Sequence, residues 1–370
     1  MCSGNRTGNG AGNFPELFGN SSIFTNYMEK QTTIKDIALA LRLSTSTVSR
    51  ALRDAHDIKP ETKKAVKALA EELDYQPNKL ALSLLNRQTH TIGVIIPNLD
   101  YVLSTMVKGI DEVALEAGYT VMVCQSDESF GREIVNTKRL LDSLVDGFIV
   151  SVSSETKVFE HIKKIQNKKI PLVLFDRVID TITCPKVRLD NVSGGIQATQ
   201  HLIDQGYKKI AILAGPENLN ISNKRMEGYL LTLKQNGIRP DNRMIIHCDF
   251  NQQYAYEATK ELLAMRNPPD AIFTISDRMA IGAMLAIKEK GLRMPDDIGL
   301  VGFNNEPVTS LVSPSISSVE MYSFEIGKAT AKLFIEMLHG DEGMVQPEIV
   351  IKPKLFVRES SRRLVPKKGK

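Results

Sequence analysis

Arg50 shares one face of a short amphipathic stretch with Thr45, Ser46 and Ser49, while Val48, Ala51 and Leu52 fall on the other. That arrangement is chemistry for reading base edges in DNA. A guanidinium can donate two parallel hydrogen bonds to a guanine and discriminate between bases by about 1–3 kcal/mol, with the small hydroxyls reaching the pairs beside it. Arg50 taken alone is equally an ordinary solvated helix residue. Catalytic chemistry is not laid out in this way. The six histidines, His56, His90, His161, His201, His247 and His339, are dispersed, and neither a nucleophile motif nor a phosphate-cradling glycine loop accompanies them. Gly194 and Gly195 after Asp190 read as the start of a helix rather than as an anion site. Cys2, Cys124, Cys184 and Cys248 stand far apart with no CxxC pair, which argues against a zinc site and a disulfide framework. No enzyme activity, metal or cofactor is expected.

The elements that must position Arg50 are short helices. Thr33 caps a first one whose apolar residues Ile34, Ile37, Ala38 and Leu41 recur every three or four positions. Ser44 caps the second, which carries Arg50, and Pro60 begins a third through Val66, Leu69, Ala70 and Leu73. The first two, joined by a tight turn, have the proportions of a helix-turn-helix, in which the second helix enters the major groove.

Beyond Thr89 the pattern changes. Apolar runs at Ile92 to Ile96, Val121 to Cys124, Phe148 to Val150, Leu172 to Phe175, Ile210 to Leu213, Ile272 to Ile275 and Leu300 to Phe303 alternate with amphipathic stretches. Strands apolar throughout are buried on both faces, the mark of parallel sheets covered by helices. So long a stretch exceeds one core, and two αβ subdomains with a cleft between them are predicted, with ligands beyond the carboxyl ends of the strands.

The whole chain of 370 residues, 42% hydrophobic and 24% charged, has length for two or three domains. Its net charge of +4 is uneven. Met28 to Gln88 holds 11 basic against 8 acidic residues, Thr89 to Lys370 holds 35 against 34, and the first 27 residues sum to zero. The excess lies on the helical module, as an anionic partner requires. Those first 27 residues include five Gly and five Asn, a composition that predicts disorder, and the functional chain is expected to begin at Met28. No run is apolar enough for a membrane span and no signal peptide is evident, so a soluble cytoplasmic protein with no membrane partner is expected.

Specific motifs carry a resemblance. Thr33, Asp36, Ile37 and Ala38, then Ser44, Thr47, Val48, Ser49 and Arg50, then Tyr75, Pro77, Asn78, Ala81 and Leu84 stand in the order and spacing of the LacI/GalR family of bacterial transcription regulators. Leu213 to Pro216, Ser276 to Met284 and Gly291 to Asn305 extend the likeness, which covers about Thr32 to Glu359. It implies an all-α helix-turn-helix headpiece followed by an α/β effector domain of periplasmic-binding-protein type, with two subdomains and parallel sheets. The expected division is a disordered extension 1–31, a DNA-binding domain 32–77, a hinge helix or linker 78–88, an effector domain 89–360 and a basic tail 361–370. Within the effector domain one subdomain takes 89–189 with 320–350, and the other 190–318 with 351–360.

The resemblance also implies roles. Thr45, Ser46 and Arg50 match base-reading positions. Ile34, Thr47, Ser49, His56, Thr62, Tyr75 and Asn78 match positions against phosphates or groove walls. Ala81 and Leu84 belong to the hinge helix, with Leu84 as the wedge that opens a minor-groove step. For the effector cleft, strand ends and family correspondence together select Leu103, Ser104, Asp127, Asp176, Arg177, Arg225, Phe250, Ser276, Asp277 and Asn304. Aspartate, asparagine and arginine suit neighbouring hydroxyls, and Phe250 offers a face to a sugar ring, so the expected effector is a sugar or sugar derivative. Leu103 and Ser104 stand where many relatives have aromatic residues, which argues against purine stacking, and Asn304 stands where they often have aspartate. The implied protein is a repressor that binds a pseudopalindromic double-stranded operator as a homodimer, with its interface along the first subdomain including the helix near Met106 to Ala117. The tail lacks the leucine heptads that build tetramers. A periplasmic sugar-binding protein is the alternative; it would share the cleft but lack the helix-turn-helix.

Overall fold

The computed structural model describes residues 32–76, 88–340 and 347–363. The extension 1–31, the hinge positions Asn78, Ala81 and Leu84, and the tail after residue 363 lie outside the described residues. The chain divides into two compact units, Met1–Asn86 and Arg87–Lys370.

In the first unit Thr33 donates its backbone N–H and its hydroxyl to Asp36 Oδ2 at 2.8 and 2.7 Å, fixing the start of α1 (Ile34–Ala40). A left-handed Arg42 (φ 53°) turns the chain, and Leu43 N–H returns to the Ala38 carbonyl. Ser44 Oγ then accepts the Thr47 N–H at 3.1 Å and caps α2 (Thr45–Leu52). Pro60 opens α3 (Pro60–Glu72) at the position where its missing N–H costs nothing. Ile37, Ala38, Val48, Ala51, Val66 and Ala70 meet as the core. Burying each larger side chain stabilises by about 1.5–3 kcal/mol. Leu73, expected on the inner stripe, is instead exposed. Its helix ends at Glu72, Asp74 turns left-handed (φ 44°), and Tyr75 packs at the edge of the core in its place.

In the second unit strands and helices alternate. The chain runs β1 (Thr91–Ile96), α4 (Tyr101–Glu116), β2 (Thr120–Gln125), α5 (Phe130–Asp142), β3 (Gly147–Val150), α6 (Glu160–Asn167), β4 (Leu172–Phe175) and β5 (Lys186–Leu189). It continues through α7 (Asn191–Asp204), β6 (Ile210–Ala214), α8 (Asn220–Gln235), β7 (Ile245–His247), α9 (Gln252–Ala264), β8 (Ala271–Thr274), α10 (Asp277–Glu289), β9 (Gly299–Asn304), α11 (Val308–Leu311) and β10 (Ser317–Glu320). It ends with α12 (Ser323–His339), β11 (Glu348–Ile351) and β12 (Lys354–Phe356). Two six-stranded sheets result, ordered β11-β5-β4-β3-β1-β2 and β12-β10-β9-β8-β6-β7. All pairings are parallel except β10 with β12. The chain passes between the lobes after β5, after β10 and after β11.

Six of the inner strands, β1, β3, β4, β6, β8 and β9, are buried nearly throughout, as apolar strands between helix layers must be. The run Val121 to Cys124 departs from the expectation of two-sided burial. It lies in β2, an outer strand of its sheet, and leaves Met122 41% and Val123 38% exposed. Gly194 and Gly195 lie near the start of α7, which Asp190 caps through the Ser193 N–H. A Cβ on Gly195 would stand 2.2 Å from the Arg225 carbonyl, so the glycine is there to let α8 approach backbone to backbone.

Candidate functional site

In the first unit, α2 turns Thr45, Ser46 and Arg50 outward to solvent, with Thr47 and Ser49 half-buried beside them. Ser44 Oγ lies 2.7 Å from Ser46 Oγ and 2.8 Å from Thr47 Oγ1, so the cap also orders the hydroxyls at the helix start. Arg50 forms an ion pair with Asp57 across the following loop. His56 is exposed and Thr62 half-buried, whereas Ile34 and Tyr75 pack against the small core. Burial raises the Tyr75 hydroxyl pKa above its ordinary value. Asp57 carried no motif signal; only the fold brings it to Arg50.

In the second unit a cavity of about 360 Å³ lies between the lobes, within the size range of small-molecule sites. Strand ends of both sheets contribute. Asn98 and Asp100 follow β1, Glu128 follows β2, Ser154 follows β3, and Asp176 and Arg177 follow β4. Opposite them, Asp249, Phe250 and Asn251 follow β7, Ser276 and Arg278 follow β8, and Asn304 with Glu306 ends β9. Leu103, Ile221 and Met321 supply apolar wall.

The cavity's charges are engaged from within. Arg177 Nη1 donates to both Glu128 oxygens at 2.9 and 2.8 Å. Burial raises the Glu128 pKa, but Arg177 and the Ser154 donors outweigh it, and the carboxyl titrates below its usual range. Arg225, 3% exposed, donates to Asn191 Oδ1 at 2.8 Å and to the Ile275 carbonyl at 2.6 Å, and lies 3.7 Å over the Phe303 ring. Burial lowers its pKa to about 10, with Asp176 opposing, so it is charged at neutral pH. Asp176 is pushed up by burial against the pull of Arg177 and Arg225. Glu306 is likewise raised by burial, opposed by Arg278. The lobes also touch across the cleft: Asn218 Nδ2 donates to the Ser154 carbonyl, and Asn220 Nδ2 to Asp180 Oδ2 at 2.9 Å.

Of the residues expected here, Leu103, Asp176, Arg177, Arg225, Phe250, Ser276 and Asn304 line the cavity. Three do not. Ser104 points outward from α4 and donates to the Tyr101 carbonyl. Asp127 is exposed and paired with Arg132 at 2.8 Å, and its neighbour Glu128 takes the cavity position. Asp277 is wholly buried beneath the wall, accepting from Ser318 Oγ at 2.7 Å and from the Glu306 N–H at 2.8 Å. Sequence reasoning missed Asn98, Asp100, Glu128, Ser154, Asp249, Asn251, Arg278 and Glu306. Each lies within a few residues of a strand's carboxyl end, and that rule applied alone points to them.

A helix-turn-helix with an open hydroxyl and guanidinium face, and a separate two-lobed body closing on a polar cavity, define the class of ligand-responsive DNA-binding regulators. Residues 33–78 match the model of bacterial regulatory proteins, lacI family, and residues 89–359 that of periplasmic binding proteins and sugar binding domain of LacI family. The probable HTH-type transcriptional repressor ExuR of Bacillus subtilis (strain 168) is 34% identical over 90% of this chain and 99% of its own length. The HTH-type transcriptional repressor CytR of Escherichia coli (strain K12) is 29% identical over 91% and 98%. The Lac repressor dimer bound to operator and the anti-inducer ONPF superposes with a TM-score of 0.81 at 25% identity, covering 90% of this chain and 100% of that one. A transcriptional regulator CelR–cellobiose complex gives a TM-score of 0.67 at 26% identity, covering 89% and 100%. The chain belongs to the LacI family of bacterial regulatory proteins.

Proposed function

We propose that the protein is a repressor that grips a pseudopalindromic operator as a homodimer, and that a neutral polyhydroxylated ligand, a sugar or sugar derivative, in the interlobe cavity sets the strength of that grip. The observation that carries the ligand class is that the two buried guanidiniums of the cavity are already engaged within the protein. Arg177 holds both oxygens of Glu128, and Arg225 is buried and donates to Asn191 and the Ile275 carbonyl, so neither of these two guanidiniums is free for a phosphate or carboxylate. What remains suits hydroxyls: Asn98, Asn251, Asn304, Asp100 and Asp249 as donors or acceptors, with Phe250 as an apolar face. The cellobiose bound by one structural neighbour is chemistry of this kind.

On this reading Thr45, Ser46 and Arg50 meet base edges, and Thr47, Ser49, His56 and Thr62 meet phosphates that fix register. Ile34 and Tyr75 act from the core by shaping that face. Asn78, Ala81 and Leu84 keep the hinge roles implied by family resemblance. The proposed dimer face is the β2 side of the first lobe, where Met122, Val123 and Leu115 are exposed. Met106, Ile110, Val113 and Ala114 of α4 are buried inside the fold, so that helix would contribute to the interface through Leu115.

Thermal shift of the full chain against D-glucose, D-galactose, D-ribose and their phosphates or acids tests the ligand class, because a bound ligand raises stability with the logarithm of its concentration. Stabilisation by a neutral sugar supports the reading. Stabilisation by sugar phosphates or sugar acids alone contradicts it.

A further inference from the structure

The 304–306 wall of the cavity is built from backbone that needs to be held in place. Asn304 and Asn305 stand at φ 110° and 52°, outside the basins that most residues occupy. From beneath, Asp277 accepts the Glu306 N–H and the Ser318 hydroxyl. A Cβ at position 302 would stand 2.1 Å from Asp277 Oδ1, so Gly302 makes the room for that carboxyl group. From behind, Asn305, which does not line the cavity, donates Nδ2–H to Glu320 Oε2 at 2.8 Å and its own N–H to Ser318 Oγ at 3.0 Å. Arg358 donates to Asn305 Oδ1 at 2.6 Å. The second oxygen of Glu320 accepts the N–H of Tyr322 at 2.7 Å, and Tyr322, at φ 56°, is where the chain turns into α12 on leaving the second lobe. Hydrogen bonds therefore run from the ligand wall to the second of the three crossovers without a gap.

We infer that Asp277 and Glu320 are positioning residues that join the 304–306 wall to the crossover at 320–322 as one body, so that a ligand touching Asn304 or Glu306 biases the segment on which the lobes turn. This rests on the cavity being the ligand site. Neither side chain lines the cavity; both act through the residues they hold.

Hydrogen exchange read by mass spectrometry on the full-length chain tests it, with Glu320→Ala, Glu320→Gln and Asp277→Asn. Losing both bonds in Glu320→Ala should speed exchange at 303–308 and at 320–324 together by about tenfold, with 91–96 unchanged. Glu320→Gln, which keeps one acceptor, should restore part of the protection at both, and Asp277→Asn should loosen both. If Glu320→Ala shows no cooperative melt, Glu320→Gln carries the test with about threefold at the two segments. Loosening of 320–324 alone, or of neither segment, overturns the inference. With whichever of D-glucose, D-galactose or D-ribose stabilises the wild type, protection should rise at both segments, but in Glu320→Ala only at 303–308. A wild-type crossover that ignores that sugar also overturns it. If no sugar stabilises the wild type, the proposed ligand class fails, while exchange in the ligand-free chain still decides whether wall and crossover are tied.

Discussion

Arg50 has Asp57 for a partner in the free chain and, on the proposed reading, a guanine on DNA. An exposed ion pair is worth at most about 1 kcal/mol, and a bidentate base contact about 1–3, so the exchange favours DNA. Arg50→Ala should weaken binding to the cognate duplex by about 1–3 kcal/mol and relax preference at one base pair, and Arg50→Lys should not restore it because an ammonium lacks the planar fork. Fluorescence anisotropy across duplexes varied at single positions checks this. Asp277 makes a different prediction. Burial raises its pKa from 3.8 to about 8, so the folded chain retains a proton that the unfolded chain releases. That contribution to stability is complete below about pH 4 and is lost as pH rises to about 8. Relative to Asp277→Asn, the wild type should lose stability between about pH 5 and 8 in urea titrations; a constant difference would refute the assignment. The outward face of Arg50 was legible because helical period alone separates it from Val48 and Ala51. Asp127 and Glu128 were not separable: both are left-handed neighbours, and only the presence of Arg132 on one side and Arg177 on the other sorts them. Asp277 was misread because Ser318, which occupies its carboxyl group, arrives from 41 residues away.

At the scale of elements, the first unit rests on few large side chains. Ile37 is fully buried at its centre, and Ile37→Ala should cost about 2–5 kcal/mol, enough to unfold that unit. Calorimetry should show the loss confined to 32–76, with the transition of the second unit unmoved; a shift in both would contradict the division. The same packing logic explains which strands could be read in advance. β1, β3, β4, β6, β8 and β9 are central and apolar, and their burial is written in their composition. β5 reads Lys-Val-Arg-Leu and β10 Ser-Ser-Val-Glu, and β11 and β12 are three or four residues of half-exposed chain. Their strand character comes from the neighbour each finds in the sheet, and β2 betrays the same dependence by being apolar yet exposed. All three crossovers leave from these quieter strands, so the hinge was legible from family pattern and not from local propensity.

At the scale of the whole molecule, the proposed dimer concentrates on an outer strand whose apolar side chains are otherwise a liability. Replacing Met122 and Val123 together with Glu should give monomers in analytical ultracentrifugation and weaken operator binding sharply, since a monomer engages one half-site. Dimers of unchanged stability would place the interface elsewhere. The central claim is that occupancy of the cavity and grip on DNA are linked, and linkage has one direct measure. Operator affinity of the full-length protein, determined by anisotropy at fixed salt with and without a saturating sugar that stabilises it, should change by about 5- to 150-fold, the span of typical coupling energies. An affinity that stays the same at full ligand occupancy would contradict the account.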